Sequence, residues 1–418
     1  MRELNHGYRI DMATDTLHRL SCNSPGGLLC PMLEGLYWNI PSAGTALPFF
    51  RLFLSPHLKR VSFYTDSYSP GITPDIPWGQ LAALVQIISF LPTFLEHLSI
   101  MCGAGKGGPL KDVISSFVCR CGSSLRSFET CVPLSEAGIR HLMQLPDLHT
   151  WYTVQEPPRT IPASIFPFLE QLHLGDHAAI PWLHLLASRG KGILRDGSAS
   201  ATSHSNTRET LKSLDCPRGT IVNSIFLSSV VNFSNLVRLR VHNFCRDGDG
   251  CSFRMTDDNV NNLTSALPRL EALELGNPCG LNSCENTVAS LLSISVHCRD
   301  LTVLSIHFNT LTIVEDTQRL LDEGSGRDKA RCKLEDLWVG SMPLEIRSED
   351  IETVATGLKT IFPSLTRAGY DGRWRELRAK FFVGGSPETR LRSELGEICF
   401  GLPPLPGCTP LCNLKQSI

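Results

Sequence analysis

One arrangement of apolar and polar positions returns along the whole chain. In PMLEGLYW (Pro31–Trp38) two leucines stand three apart, and a further apolar residue follows two positions later. The same L-x-x-L-x-Φ order, with Φ usually apolar, runs through PHLKRVSF (Pro56–Phe63), PTFLEHLSI (Pro92–Ile100), SSLRSFET (Ser123–Thr130), PDLHTWYT (Pro146–Thr153) and PFLEQLHL (Pro167–Leu174). It continues in ETLKSLDC (Glu209–Cys216), SNLVRLRV (Ser234–Val241), PRLEALEL (Pro268–Leu275), RDLTVLSI (Arg299–Ile306), CKLEDLWV (Cys332–Val339) and PSLTRAGY (Pro363–Tyr370). The last two apolar positions of each fragment are two apart, so they face one side of a strand. Segments between the fragments carry helical spacing instead. Trp78–Leu91, Ser135–Leu145 and Thr256–Pro268 predict helices, the latter two starting at good N-caps. In Ser348–Phe362, Ile351, Val354, Leu358 and Phe362 share one helical face. Strands alternating with helices predict an α/β chain with parallel neighbouring strands.

The first leucines of the fragments fall at 33, 58, 95, 125, 148, 169, 211, 236, 270, 301, 334 and 365. The mean step is about 30 residues, near the upper edge of the leucine-rich-repeat range. The expected architecture is therefore a leucine-rich-repeat solenoid, a horseshoe with a parallel concave sheet and helices on the convex side. Residues 31–372 are expected to form this domain in about 12 irregular units. Residues 1–30 would be an N-terminal segment acting as a partial cap. The Gly-, Ser- and Thr-rich stretch 189–210 lies in the widest gap and reads as a flexible insertion. Residues 373–400 are expected to add a helical cap, and 401–418 a tail.

Charge and cysteine usage narrow the partners. A net charge of -2 leaves no general basic footprint for nucleic acid. The longest apolar run, Leu81–Leu95, is broken by Gln86 and Pro92 and is too short to span a membrane. Residues 1–20 have no apolar secretory core. Sixteen cysteines without such a leader predict reduced thiols in a cytoplasmic or nuclear protein. The pairs Cys119/Cys121, Cys279/Cys284 and Cys408/Cys412 lack zinc-site spacing.

One stretch imitates a phosphate-binding loop. GAGKGG (Gly103–Gly108) follows the strand LEHLSI and precedes a helix. Its Lys106 is followed by Gly107, not by the Ser or Thr that would bind magnesium, and Pro109 removes a backbone donor. It reads as the turn after a strand, and a nucleotide-binding enzyme built on 103–108 is the weaker alternative. His173, Asp176, His177 and His184 divide among strand, loop and helix and make no ligand set. No catalytic residue, cofactor or metal is expected, and the chain is not read as an enzyme.

Three fragments, LPFFRLFLSPHLKRVSF (Leu47–Phe63), LPRLEALELG (Leu267–Gly276) and FPSLTRAGYDG (Phe362–Gly372), resemble the leucine-rich half of F-box proteins expanded in mushroom-forming fungi. The resemblance covers about Pro31–Gly372. It implies that the repeats bind protein substrates. It also implies an N-terminal F-box that docks onto a cullin-type ubiquitin ligase through a small adaptor subunit. Met1–Cys30 shows no Leu-Pro-initiated helical bundle. The expected function is thus a protein-interaction module, the substrate-recognition part of an F-box-type adaptor lacking its F-box. The ligase adaptor subunit would be a partner only if an F-box exists upstream. A truncated or orphan scaffold without a ligase role is the alternative.

The residue between the last two apolar positions of each fragment should face away from the core. These residues are Tyr37, Ser62, Ser99, Glu129, Tyr152, His173, Asp215, Arg240, Glu274, Ser305, Trp338 and Gly369, with Arg60, Arg238, His242, His307 and Asp336 flanking them. The candidate protein-binding set is Tyr152, His173, Arg238, Arg240, Glu274, His307 and Trp338. Asp215, Arg240 and Glu274 should stand on adjacent strands and neutralise one another, each pair worth about 0.2–1 kcal/mol.

Overall fold

The computed structural model describes residues 3–6, 14–23, 28–39, 47–64, 78–90, 94–101, 108–120, 124–162, 165–175, 178–189, 207–216, 220, 222–241, 255–275, 285–306, 309, 312–323, 332–339 and 350–369. Among the described residues, thirteen strands form one parallel sheet whose spatial order is the chain order. They are β1 (Glu3–His6), β2 (Gly35–Asn39), β3 (Arg60–Tyr64), β4 (His97–Met101), β5 (Ser127–Thr130), β6 (Thr150–Thr153) and β7 (Gln171–Leu174). Then follow β8 (Ser213–Cys216), β9 (Arg238–Val241), β10 (Ala272–Leu275), β11 (Val303–Ile306), β12 (Asp336–Val339) and β13 (Arg367–Gly369). The helices are α1 (Thr14–Asn23), α2 (Trp78–Phe90), α3 (Gly108–Arg120), α4 (Glu136–Gln144), α5 (Ala179–Arg189) and α6 (Thr207–Thr210). They continue with α7 (Ser224–Val230), α8 (Asp257–Ala266), α9 (Val288–His297), α10 (Ile313–Glu323) and α11 (Ile351–Ile361). A 3-10 helix covers Leu47–Phe53.

The L-x-x-L-x-Φ pattern accounts for the strands. Leu36, Val61, Leu98, Phe128, Trp151, Leu172, Leu214, Leu239, Leu273, Leu304, Leu337 and Ala368 occupy one register row across β2–β13. All twelve are buried, as are the twelve first leucines from Leu33 to Leu365. They join helix residues such as Val85, Ile114, Leu142, Trp182, Phe226, Leu263, Leu291 and Leu358 in one continuous core. Each buried leucine contributes about 1.5–3 kcal/mol of transfer free energy.

A second regularity is in the backbone. The carbonyl of the residue after each first leucine accepts two N–H groups from the next unit. Glu34 O takes Lys59 N at 2.8 Å and Arg60 N at 3.0 Å, Lys59 O takes Glu96 N and His97 N, and the scheme continues without a gap to Glu335 O with Thr366 N and Arg367 N. This chain of shared acceptors fixes the start of every strand from β3 to β13 and satisfies donors at the sheet margin.

Local chemistry sets the helix starts. The Ser135 hydroxyl accepts from Gly138 N at 3.2 Å, and Asn223 Oδ1 accepts from Phe226 N at 2.9 Å. Thr256 and Asn259 form a reciprocal capping box. Pro181 lies in the first turn of α5, where no helical donor is lost. Neighbouring helices pack on one another, α2 on α3, α3 on α4, α8 on α9 and α10 on α11. The last contact is close: a Cβ on Gly357 would lie 1.8 Å from Thr317 Cγ2.

Two features depart from the sequence pattern. The sheet begins inside the expected cap, because Glu3–His6 pairs in parallel with Gly35–Trp38. ELNH carries no L-x-x-L-x-Φ signal, and it joins the sheet through its backbone pairing with β2. Between β6 and β7 no helix occurs among the described residues. Instead Phe166, with a left-handed backbone (φ 47°), packs its ring against Trp151 at 4.9 Å and Trp182 at 6.2 Å. Trp182 donates its indole N–H to Gln155 O at 2.7 Å, fixing α5 to the strand end.

Among the described residues, no helix is long and apolar enough to cross a membrane. Lys106 and Gly103–Gly107, Asp176, His177, His242, His307, most of the 189–210 stretch and both expected C-terminal segments lie outside the described residues. Gly108 opens α3.

Candidate protein-binding face

The side of the sheet opposite the buried leucines carries two rows of side chains. The central row is Tyr37, Ser62, Ser99, Glu129, Tyr152, His173, Asp215, Arg240, Glu274, Ser305, Trp338 and Gly369, in register across β2–β13. Two residues earlier on each strand lies the marginal row, which includes Arg60, His97, Ser127, Thr150, Gln171, Ser213, Arg238, Ala272, Val303, Asp336 and Arg367.

The central row is less exposed than an open sheet face would be. Ser62, Ser99 and Glu274 are buried. Each has one long side chain beside it at the strand spacing of about 4.8 Å: Tyr37 beside Ser62, Glu129 beside Ser99 and Arg240 beside Glu274. Polar and charged side chains pair along the row. His173 Nδ1 lies 3.4 Å from Asp215 Oδ2, and Arg240 Nη2 donates to Glu274 Oε1 at 2.7 Å. The Arg240 and Glu274 side chains are only 11% and 12% exposed. The sequence-based figure for exposed cross-strand pairs therefore understates what losing one partner would cost. Tyr152 is half-buried between Glu129 and His173, and Trp338, 36% exposed, stands beyond Ser305. Tyr152, His173, Arg240 and Glu274 are thus brought together, with Asp215 completing the run. Arg238 lies in the marginal row and Trp338 two strands beyond Glu274. His307 lies outside the described residues.

Sequence reasoning missed two marginal-row residues. Arg367 binds the Asp336 carboxylate across β12 and β13. His97 shares a hydrogen bond with Ser62 Oγ, Nε2 to oxygen 3.3 Å, while Ser99 donates to Glu129 Oε2 at 2.9 Å. Both were legible as the second x of their fragments, LEHL and LTRA, but not as members of a cluster.

Burial holds the His97 imidazole below its ordinary value of 6.5; Glu129 pulls upward against this and Arg60 pushes the same way as burial. The folded protein thus prefers neutral His97. Between the lowered folded value and 6.5, the unfolded chain binds more protons, so this contribution is fully present above 6.5 and is lost as pH falls through that window. Urea midpoints should therefore drop between pH 7.5 and 5.5. The drop should be smaller in His97→Gln, which keeps a donor toward Ser62. An unchanged drop would show that His97 is not a source.

The described cysteines are all free thiols: Cys22, Cys30, Cys119, Cys131, Cys216, Cys298 and Cys332. Burial pushes Cys298 up to about 12, with Cys332 adding to the effect, and Cys332 up to about 11. Cys216 is raised well above the usual thiol range by burial and by Asp215. These three are core side chains with almost no thiolate at neutral pH, unsuited to nucleophilic or redox chemistry. No protein-family model matches this chain, and no curated protein matches it.

Proposed function

We propose that this chain is a leucine-rich-repeat solenoid that works as a protein-interaction module. Its charged and aromatic outer face would read a protein partner, as the substrate-recognition part of an F-box-type ubiquitin-ligase adaptor does. The observation that carries the reading is the unbroken register row from Tyr37 to Gly369, which aligns charged, hydroxyl and aromatic side chains on a preformed surface. A surface held by paired backbone and packed side chains loses little freedom on binding, which favours affinity. Aromatic residues and arginine dominate binding hot spots, and this face offers Tyr152, Trp338, Arg238 and Arg240. The ligase assignment rests on the resemblance of the leucine-rich fragments.

The test is capture from cell extract with quantitative mass spectrometry, comparing wild type with Trp338→Ala. Partners of this face should lose about 30-fold in affinity or more, the equivalent of roughly 2 kcal/mol. Co-capture of a cullin scaffold supports the ligase arm. An identical partner set for both proteins would sink the assignment of this face.

A further inference from the structure

On β9–β12 the outer face has an uneven charge balance. Arg240 is paired with Glu274, and Asp336 is held by Arg367. Arg238 is exposed, and no ion pair or side-chain hydrogen bond engages it among the described residues. Its register neighbours are Ser213 and Ala272, neither of which carries charge. Next along that row comes Val303, half-buried, so Ala272 and Val303 make a low apolar floor. Trp338 stands at the far side of this floor, in the central row of β12.

Three strand spacings separate β9 from β12, about 14 Å. With the two-residue offset between the rows, Arg238 and Trp338 lie roughly 16 Å apart, the reach of four or five residues of extended chain. We infer that this face binds an extended segment of a partner protein in which an Asp or Glu precedes or follows an apolar side chain by four or five residues. The carboxylate would meet the Arg238 guanidinium, which suits paired hydrogen bonds to two oxygens. The apolar side chain would lie against Trp338, with the intervening segment passing over Ala272 and Val303. A carboxylate is favoured over a phosphate because the single Arg238 guanidinium balances one negative charge, whereas a phosphate brings nearly two, and the next arginines, Arg240 and Arg367, are already paired with Glu274 and Asp336. The inference rests on the reading of this face as protein-binding, and it adds which chemistry is read.

The experiment is selection of a displayed random 12-residue peptide library on the full chain, then fluorescence anisotropy with the enriched peptides. Enriched peptides should carry Asp or Glu four or five residues from Leu, Phe or Trp. Arg238→Glu should weaken them about 10-fold or more, and changing the peptide's acid to Lys should restore binding to that variant. Because Arg238 is exposed, its variants should keep the wild-type circular dichroism. Peptides that lose affinity in Trp338→Ala but not in Arg238→Glu would overturn the acidic specificity and leave the protein-binding face standing. Enrichment of no peptide, or of peptides indifferent to both variants, would overturn both. Tighter binding when the acid is replaced by phosphoserine would overturn the choice of carboxylate.

Discussion

Trp151→Ala should lower the free energy of unfolding by about 3–5 kcal/mol, measured by urea denaturation followed by circular dichroism. Trp151 is fully buried, edge-on to Trp182 at 4.8 Å and tilted against Phe166 at 4.9 Å. Its indole N–H has no acceptor among the described residues, so the loss would come from packing and not from a broken hydrogen bond. The ring also backs Phe166, whose left-handed backbone is held in place by its surroundings. Tyr152 is the next residue and faces the other way, so Tyr152→Ala should cost no more than about 1 kcal/mol. If Tyr152→Ala unfolds the protein and Trp151→Ala is silent, the strand register is displaced by one.

Glu274→Ala should cost about 3 kcal/mol, near the lower end for removing one partner of a buried ion pair. The loss would leave the Arg240 guanidinium shielded from water without the carboxylate that now sits 2.7 Å away. The double variant Arg240→Met/Glu274→Leu removes both charges and should recover most of that loss, since desolvation then costs nothing. The coupling between the two positions is read from the double-mutant cycle. Additive losses, with the double variant as unstable as both single changes summed, would show that the pair is not electrostatically linked.

The parts of the fold that depend on period were legible. Leu273 and Leu275 are buried because residues two apart share a face, and the same rule put Glu274 on the other side. Aligning the fragments also places Arg240 beside Glu274 and Asp215, the neighbours it has in the sheet. What escaped depends on contacts that no local pattern encodes. Glu3–His6 is a strand because of its partner, not its sequence. His97 is an ordinary polar position in LEHL, and its preference for the neutral form comes first from burial, with Arg60 adding to it and Glu129 opposing it. Gly357 looks like a weak point in α11, yet it is where Thr317 of α10 comes closest. Replacing a mid-helix glycine by alanine normally gains about 1 kcal/mol, and here the added methyl would collide instead.

The run of shared carbonyls from Glu34 to Glu335 has a mechanical meaning. Each strand is bonded only to the strands before and after it, and the two ends of the sheet lie twelve strand spacings apart, about 58 Å along it. A load applied to the chain ends is therefore met by one strand junction at a time. The terminal strand must yield before the next one feels the full tension, and each detachment frees about 30 residues, roughly 100 Å of slack. Such a molecule resists a pull as a zipper does, in a series of similar and modest events. Its length under tension would count how many units still hold.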